Sequence, residues 1–260
     1  MSMSLFAVWV ILTLAVLVYV TAWFELAQYL DRIDAVDSAW GLGFVYVAML
    51  SILLQFQYDS LTLTAGFLVA LWGLRLFWHI TARNLSKDED GRYAAYRTRW
   101  GKSLWRKVFT NIYLVQGALI LIISTPIVAI AASPGRAWTL PVKLGFLIWI
   151  TGIGFETLAD YQLRHFLKSK PRKHTIMQTG LWRYSRHPNY FGEVVTWFGA
   201  AVVAAGVGQW WGFIGFATIT FLILKVSGIP PTEKRHEHDK AYQAYSRKTS
   251  VFLPLPPKQS

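Results

Sequence analysis

An all-α, polytopic membrane protein is the fold class this sequence predicts, and three observations predict it. Of its 260 residues, 54% are hydrophobic and only 15% charged, against about 25% charged in an ordinary soluble domain. Its apolar residues gather into seven runs long enough, or nearly so, to cross a hydrocarbon core of roughly 30 Å as helices of about 20 residues. Its Lys and Arg residues crowd into alternate connections, as they do when the basic loops stay on one side. A chain of this length has room for one or two soluble domains. No charged stretch here could solvate even one, so residues 1–260 read as a single integral domain.

The seven runs extend from Leu5 to Phe24, Ser38 to Phe56, Leu61 to Ile80, Asn111 to Ala132, Val142 to Ala159, Pro188 to Val207 and Gln209 to Ile229. The first lacks a basic leader and exceeds the roughly 7–15 residue core of a cleaved signal, so it is a span. Arg75 in the third and Glu156 in the fifth lie close to one end of their runs and exclude neither. The connections 25–37, 81–110, 160–187 and 225–260 carry one, eight, seven and seven Lys and Arg, whereas 57–60, 133–141 and 208 carry none, one and none. The positive-inside rule then puts the N-terminus outside and the C-terminus in the cytoplasm, with a bacterial inner membrane as the expected location. Most of the +12 net charge falls on the cytoplasmic face, where anionic headgroups attract it and where an anionic cofactor would find cations; no nucleic-acid partner is expected. The connection 81–110, with Trp100, Trp105 and alternating arginines, suits an amphipathic segment on the headgroups. Its Arg92, Tyr93 and Arg97 are candidates to cover a cofactor.

Cysteine is absent, which removes disulfides, thiolate catalysis and Cys-ligated metals. The sequence has no glycine-rich dinucleotide loop on a strand, no phosphate loop and no paired-histidine metal motif. Chemistry must come from side chains at helix ends. In "GFETLADYQLRHF", Glu156, Asp160 and Arg164 recur every four residues and form one polar stripe on a helix. Near a membrane such a stripe is costly unless it faces protein or a wet cavity.

The stretch "GLWRYSRHPNYFGEVVTWFG" starts the next helix. Pro188 suits its first position and His187 its cap, so the positive end of the helix dipole meets Arg183, Arg186 and His187 in an anion site. Asn189 and Glu193 fall one turn apart on one face. Gly192, Gly199 and Gly206 repeat every seven residues, a face for close helix packing. Beyond Pro230 and Pro231, a polar helix starting at Thr232 and Glu233 is expected, with His238, Ala241, Tyr242 and Tyr245 turned inward.

These motifs resemble a known family. "LADYQLRHF", "TGLWRYSRHPNYFGE", "KVSGIPPTEK" and "YQAYSRKTSVFLP", with "DAVDSAWG" and "WGLRLFWHITARN", are similar to bacterial membrane reductase-like proteins related to the steroid 5α-reductases, and through them to sterol C14-reductases and isoprenylcysteine carboxyl methyltransferases. The resemblance implies a seven-helix fold, NADPH held at the cytoplasmic side, and hydride delivery to a carbon–carbon double bond conjugated to a carbonyl in a lipophilic, steroid-like substrate. The cofactor-binding candidates are Glu156, Asp160, Arg164, Tyr184, Arg186, His187, Asn189, Tyr190 and Glu193; of these the resemblance matches Asp160, Arg164, Asn189 and Glu193 to cofactor contacts, Glu156 stands where the steroid enzymes have an asparagine, and the wider superfamily implies Lys234 and Arg235 for a 2′-phosphate. Glu193 is also placed near the nicotinamide and counted among the catalytic candidates. The steroid enzymes polarise the substrate carbonyl with a Gln-Glu pair on the second helix and a tyrosine from a later one; "DSAWGLGFVYVA" has no such pair. Asp37 and Tyr46 are the candidates to replace it, because a developing enolate needs a proton donor in a dry pocket. The alternative is an S-adenosylmethionine-dependent methyltransferase of the isoprenylcysteine type, which shares the Arg-His-Pro-x-Tyr helix start. A lipid-binding protein without cofactor would use the same cavity and bind no nucleotide.

The topology has a direct check. Cysteines replacing Ser86 and Ser169 are expected to react with an impermeant reagent from the cytoplasmic side only, and reaction of either from outside would overturn the orientation.

Overall fold

The structure is a computed structural model that describes residues 3–56, 58–85, 87–89, 91–133, 135–169 and 175–258. The Ser86 labelling position and the Arg92 side chain lie outside what it describes. The chain forms two compact units, Met1–Trp138 and Thr139–Ser260. Both are helical, and among the described residues there is no strand beyond one parallel bridge between Ser185 and Ser250. Six helical stretches are long and apolar enough to cross a membrane: Leu5–Tyr29, Ala35–Gln55, Ser60–Leu85, Tyr93–Ile123, Leu140–Lys168 and Trp210–His236. The expected span at Pro188 forms as a helix of 19 residues but is not among the six, because Asn189 and Glu193 lower the apolarity of its first turns.

The first unit begins with α1 (Leu5–Tyr29), capped where the Ser4 hydroxyl accepts from Ala7 N–H at 3.3 Å. Its buried residues Val8, Leu12, Val16, Val20, Phe24 and Ala27 trace a single stripe; Phe6 and Val18 on the opposite side are largely exposed, as suits a helix bathed in lipid. Next come α2 (Ala35–Gln55) and α3 (Ser60–Leu85), whose first turn is held by Asp59 accepting from Leu61 and Thr62 N–H at 3.0 and 3.1 Å. Here α2 and α3 touch backbone to backbone: a Cβ on Gly41 would lie 2.4 Å from the Gly73 carbonyl oxygen.

The fourth span starts earlier than its apolar run. Short helices α4 (Gly91–Trp100) and α5 (Leu104–Val108) lead through a π-helical turn, Phe109–Tyr113, into α6 (Leu114–Ile123), and α7 (Thr125–Ala131) follows a break at Ser124. Part of the connection read as a headgroup segment is thus helix continuous with the span. A polar clasp ties it to the α1–α2 turn. Arg97 donates to Glu89 at 2.7 and 3.1 Å and to the Asp31 carboxylate and carbonyl at 2.8 and 2.6 Å, while Glu89 accepts from Ile33 N–H at 2.6 Å.

The second unit is built on an antiparallel pair, α8 (Leu140–Lys168) and α9 (Pro188–Gly206). The helix α8 runs well past the predicted end at Ala159, because the backbone ladder continues after the apolar run stops. Glycines on both helices set the spacing. A Cβ on Gly145, Gly152, Gly192 or Gly199 would lie 2.7, 2.4, 2.5 or 2.4 Å from the backbone nitrogen of Val203, Thr196, Glu156 or Trp149. After α10 (Phe213–Phe221), a π-helical turn at Leu222–Val226 leads to α11 (Ile229–His236), which carries the proline pair in its first turn. The break expected at Pro230 and Pro231 is therefore a helix start. A second helix, α12 (Lys240–Lys248), begins after the Asp239 cap, leaving His238 exposed between the two while Tyr242 and Tyr245 turn inward.

This packing predicts a contrast between two neighbouring glycines. Gly152→Ala drives a methyl into the Thr196 backbone and is expected to destabilise the second unit by about 1–3 kcal/mol. Gly154→Ala, with nothing within 4 Å of the added carbon, is expected to be neutral or stabilising by about 0.5–1 kcal/mol. Thermal unfolding in detergent separates the two, and equal midpoints would contradict the register.

Candidate functional site

The contact between Gly192 and Glu156 decides which side chains meet in the second unit. It sets the polar stripe of α8 level with the first turns of α9. Glu156 and Asp160 are buried, at 3% and 7% exposure, while Asn189 and Glu193 on α9 are half-buried. The Asn189 carboxamide makes no hydrogen bond among the described residues, and Arg164 is exposed without an ion pair to Asp160. His187 stands at the N-cap of α9 but contributes no side-chain cap, so the amide donors of that first turn have no partner from it. Carboxylates, a carboxamide and uncapped amides together can read the hydroxyl and amide groups of a polar ligand.

The approach to α9 is held by a second cluster. Arg186 is not a free cation: it grips Glu233 of α11 through two bonds, at 3.0 and 2.7 Å. Its third nitrogen donates to the carbonyls of Ser246 and Thr249 at 3.0 and 2.8 Å, which satisfies the C-terminal end of α12. Glu233 also bonds His187 Nε2 at 2.8 Å and accepts from the Tyr242 hydroxyl at 2.5 Å. Tyr245 donates to the Trp182 carbonyl at 2.5 Å, and Trp182 Nε1 donates to the Ala159 carbonyl of α8 at 3.1 Å. The chain after α12 lies along the α9 approach, where Arg186 N–H donates to the Ser250 carbonyl at 2.8 Å and Leu255 N–H to the Tyr184 carbonyl at 3.1 Å.

Charge states follow from these contacts. Burial alone would weaken the Arg186 cation, but the hydrogen bonds and field of Glu233 outweigh it and raise the pKa. Burial depresses the His187 pKa, with Glu233 offsetting part of the effect. The Tyr242 pKa is raised by burial and then by Glu233. A neutral His187 therefore donates from Nε2 to Glu233, which orients the ring; that ring stacks on Tyr190 at 5.6 Å. Tyr184, Lys234 and Arg235 are exposed. Lys234 lines a groove of about 470 Å³ with Pro230, Gln243 and Ser246.

In the first unit, Asp37 occupies the first turn of α2, and its carboxylate accepts a hydrogen bond from the Tyr93 hydroxyl of α4 at 2.7 Å. Tyr46 lies deeper and stacks on Tyr19 of α1 at 5.3 Å, while the Tyr19 hydroxyl donates to the Ala39 carbonyl at 2.6 Å. Sequence reasoning set Tyr93 over a cofactor and missed its bond to Asp37. The signal was faint: an aromatic 56 residues away in a basic connection.

His187 makes the site sensitive to pH. Its folded pKa lies below the unfolded value of about 6.5, so the unfolded chain binds the proton more readily, and stability is present above that value and lost as pH falls through it. The unfolding midpoint in detergent is expected to fall from about pH 7.5 to about pH 5.5, and more shallowly in His187→Gln. Equal slopes would contradict a buried neutral histidine.

Comparison with known proteins places the chain. The model of a family described as "Protein of unknown function (DUF1295)" matches residues 23–249. The 3-oxo-5-alpha-steroid 4-dehydrogenase 1 of Bos taurus is 29% identical over 113 residues, 43% of this chain and 40% of that protein. The Homo sapiens 3-oxo-5-alpha-steroid 4-dehydrogenase 2 is 26% identical over 113 residues, 44% of this chain and 42% of that enzyme. The steroid 5-alpha-reductase DET2 of Gossypium hirsutum is 35% identical over 72 residues, 28% and 26% of the two chains. The matches thus span about two fifths of the length of the animal relatives, or less for the plant one, and no solved structure matches. The chain belongs to the DUF1295 family and is related to the steroid 5α-reductases.

Proposed function

We propose that this protein reduces a carbon–carbon double bond conjugated to a carbonyl in a lipophilic, steroid-like substrate, with NADPH as the reductant. The observation that carries the reading is the 2.7 Å bond between Tyr93 and Asp37. With Asp37 protonated, the Tyr93 hydroxyl holds one carboxyl oxygen and the carboxyl's own O–H can be presented to a substrate oxygen, and an enone accepts hydride only as fast as that oxygen's growing negative charge is stabilised. A methyl transfer makes no such demand. The names of the relatives support the same reaction class.

The second unit supplies groups that fit the dinucleotide. Asn189, without a hydrogen-bond partner among the described residues, offers a donor and an acceptor; Asp160 and Glu193 offer acceptors for ribose hydroxyls; the first turn of α9, which its N-cap side chain leaves uncapped, offers N–H donors for phosphate oxygens. NADPH bound there supplies the hydride. Arg186 holds Glu233 and therefore acts on such a ligand by positioning α9, which leaves Arg164, Arg183, Lys234 and Arg235 among the exposed cations, of the described residues, that can meet phosphates. His187 and Tyr190 form one stacked wall, and Tyr184 stands exposed at the entrance.

Titration calorimetry in detergent with NADPH, NADH and S-adenosylmethionine tests this. Asp160→Ala and Asn189→Ala are each expected to remove about 1–3 kcal/mol of binding, roughly five- to 150-fold in affinity for NADPH. Neutralising Lys234 and Arg235 together is expected to weaken NADPH more than NADH, because only one of them carries the extra phosphate. Binding of S-adenosylmethionine with none of either dinucleotide would replace this reading with the methyltransferase.

A further inference from the structure

The exposed side of α8 is a single stripe that runs the length of the helix. Leu140, Leu144, Leu147, Thr151, Gly154 and Leu158 follow one another at alternate steps of four and three residues, and all are exposed. That spacing keeps them on one face, turned from the buried Glu156 and Asp160; it is the side of α8 that hydrocarbon covers. Past the apolar run the same steps reach Tyr161, 60% exposed, then His165 and Lys168, both exposed. Aliphatic, aromatic and cationic side chains in that order mark a helix leaving hydrocarbon for the headgroups.

A groove of about 440 Å³ opens at that exit. Tyr161, His165 and Phe166 of α8 form one wall, and the segment from Met177 to Gly180 forms the other. Gly180 lets the walls close on each other: its φ is +60°, and a Cβ there would lie 2.5 Å from Gln162 Oε1. The polar side chains around the groove bond to the protein itself. Gln162 Oε1 accepts from Leu181 N–H at 2.9 Å, the Ser169 hydroxyl donates to the Phe166 carbonyl at 2.6 Å, and the Thr179 hydroxyl donates to Met177 Sδ at 3.7 Å. A ligand therefore meets rings and a thioether: Tyr161 stacked beside His165 at 6.2 Å, then Phe166 and Met177.

These surfaces suit an acyl chain, which fills an irregular apolar groove and asks for no hydrogen bonds, better than a sugar or a base. The end of a helix repels an anion through its open carbonyls, but those of His165 and Phe166 are taken by Ser169 N–H at 3.2 Å each. Lys168 stands in the same last turn with a cation to offer. We propose that the α8 groove binds one anionic phospholipid, its acyl chain passing from the lipid-facing stripe between Phe166 and Met177 and its phosphate meeting the Lys168 ammonium. The inference does not rest on the reductase reading, since the groove and the Glu156–Asp160 stripe occupy different faces of α8.

The test uses the full chain in a neutral detergent. Dioleoylphosphatidylglycerol is expected to raise the unfolding midpoint saturably, whereas dioleoylphosphatidylcholine, which has no net charge, and inorganic phosphate, which has no chain, are expected to leave it in place. Lys168→Gln is expected to weaken the phosphatidylglycerol response about tenfold, and Arg247→Gln, which removes an exposed cation from α12, to leave it unchanged. A phosphatidylglycerol carrying a photoreactive diazirine in its acyl chain is expected to label Phe166 or Met177. Equal weakening by the two substitutions, or label spread evenly over the spans, would overturn the site in favour of diffuse attraction to the basic face. An equal response to phosphatidylcholine would overturn the contact with Lys168, and an equal response to inorganic phosphate would overturn the part given to the acyl chain. Crosslinking of two copies through the groove, with no label in it, would assign the groove to a second chain.

Discussion

The close approach of α8 and α9 is the constraint from which the second unit follows. Lipid tails are as apolar as leucine, so helices in a membrane gain nothing from hiding apolar surface from each other and associate through van der Waals contact and polar bonds. Contact of that kind needs short distances. Gly145 and Gly152 on one helix and Gly192 and Gly199 on the other provide them, each opening a space that the partner's backbone fills to well under 3 Å from a missing Cβ. Because every contact lies on one antiparallel register, the last of them leaves no choice about where Glu156 goes. It sits at the level of Pro188–Gly192, and the polar stripe of α8 meets the polar start of α9.

That meeting carries a cost which the rest of the unit offsets. Burying Arg186 without a partner would cost several kcal/mol, so the positions of α11 and α12 are tied to it: Glu233 supplies the counter-charge, and the open carbonyls at the end of α12 take the remaining donors. The same carboxylate orients His187. One residue of α11 therefore connects the C-terminal helices to the α9 entry. The first unit solves the equivalent problem with Arg97 and Glu89, which join the α1–α2 turn to the α4 entry close to the Asp37–Tyr93 bond. In both units a half-buried arginine–glutamate pair stands beside the groups proposed for chemistry, where it fixes geometry more than it adds stability.

Much of this was legible in the sequence, and the illegible parts share a cause. Periodicity was enough for the helices α1, α2 and α3, the Glu156–Asp160 stripe and the α9 start, because apolar spacing and proline placement are local signals. Gly192, Gly199 and Gly206 announced a packing face, but their partners Gly145 and Gly152 carry no mark that identifies them. The extension of α8 to Lys168 was missed because backbone hydrogen bonding, and not apolarity, ends a helix. Arg186 read as a phosphate contact since a cation beside a helix start looks the same whether it awaits a ligand or a glutamate 47 residues on. The Asp37–Tyr93 bond is a tertiary fact with no local pattern.

The central claim is hydride transfer to an enone, and isotope transfer measures it most directly. NADPH carrying deuterium at the transferable C4 position, incubated with the protein in detergent and a 3-oxo-4-ene steroid, is predicted to yield the saturated ketone with one deuterium on the β-carbon. A product without deuterium from the dinucleotide, or a methylated product formed only when S-adenosylmethionine is supplied, would contradict the account.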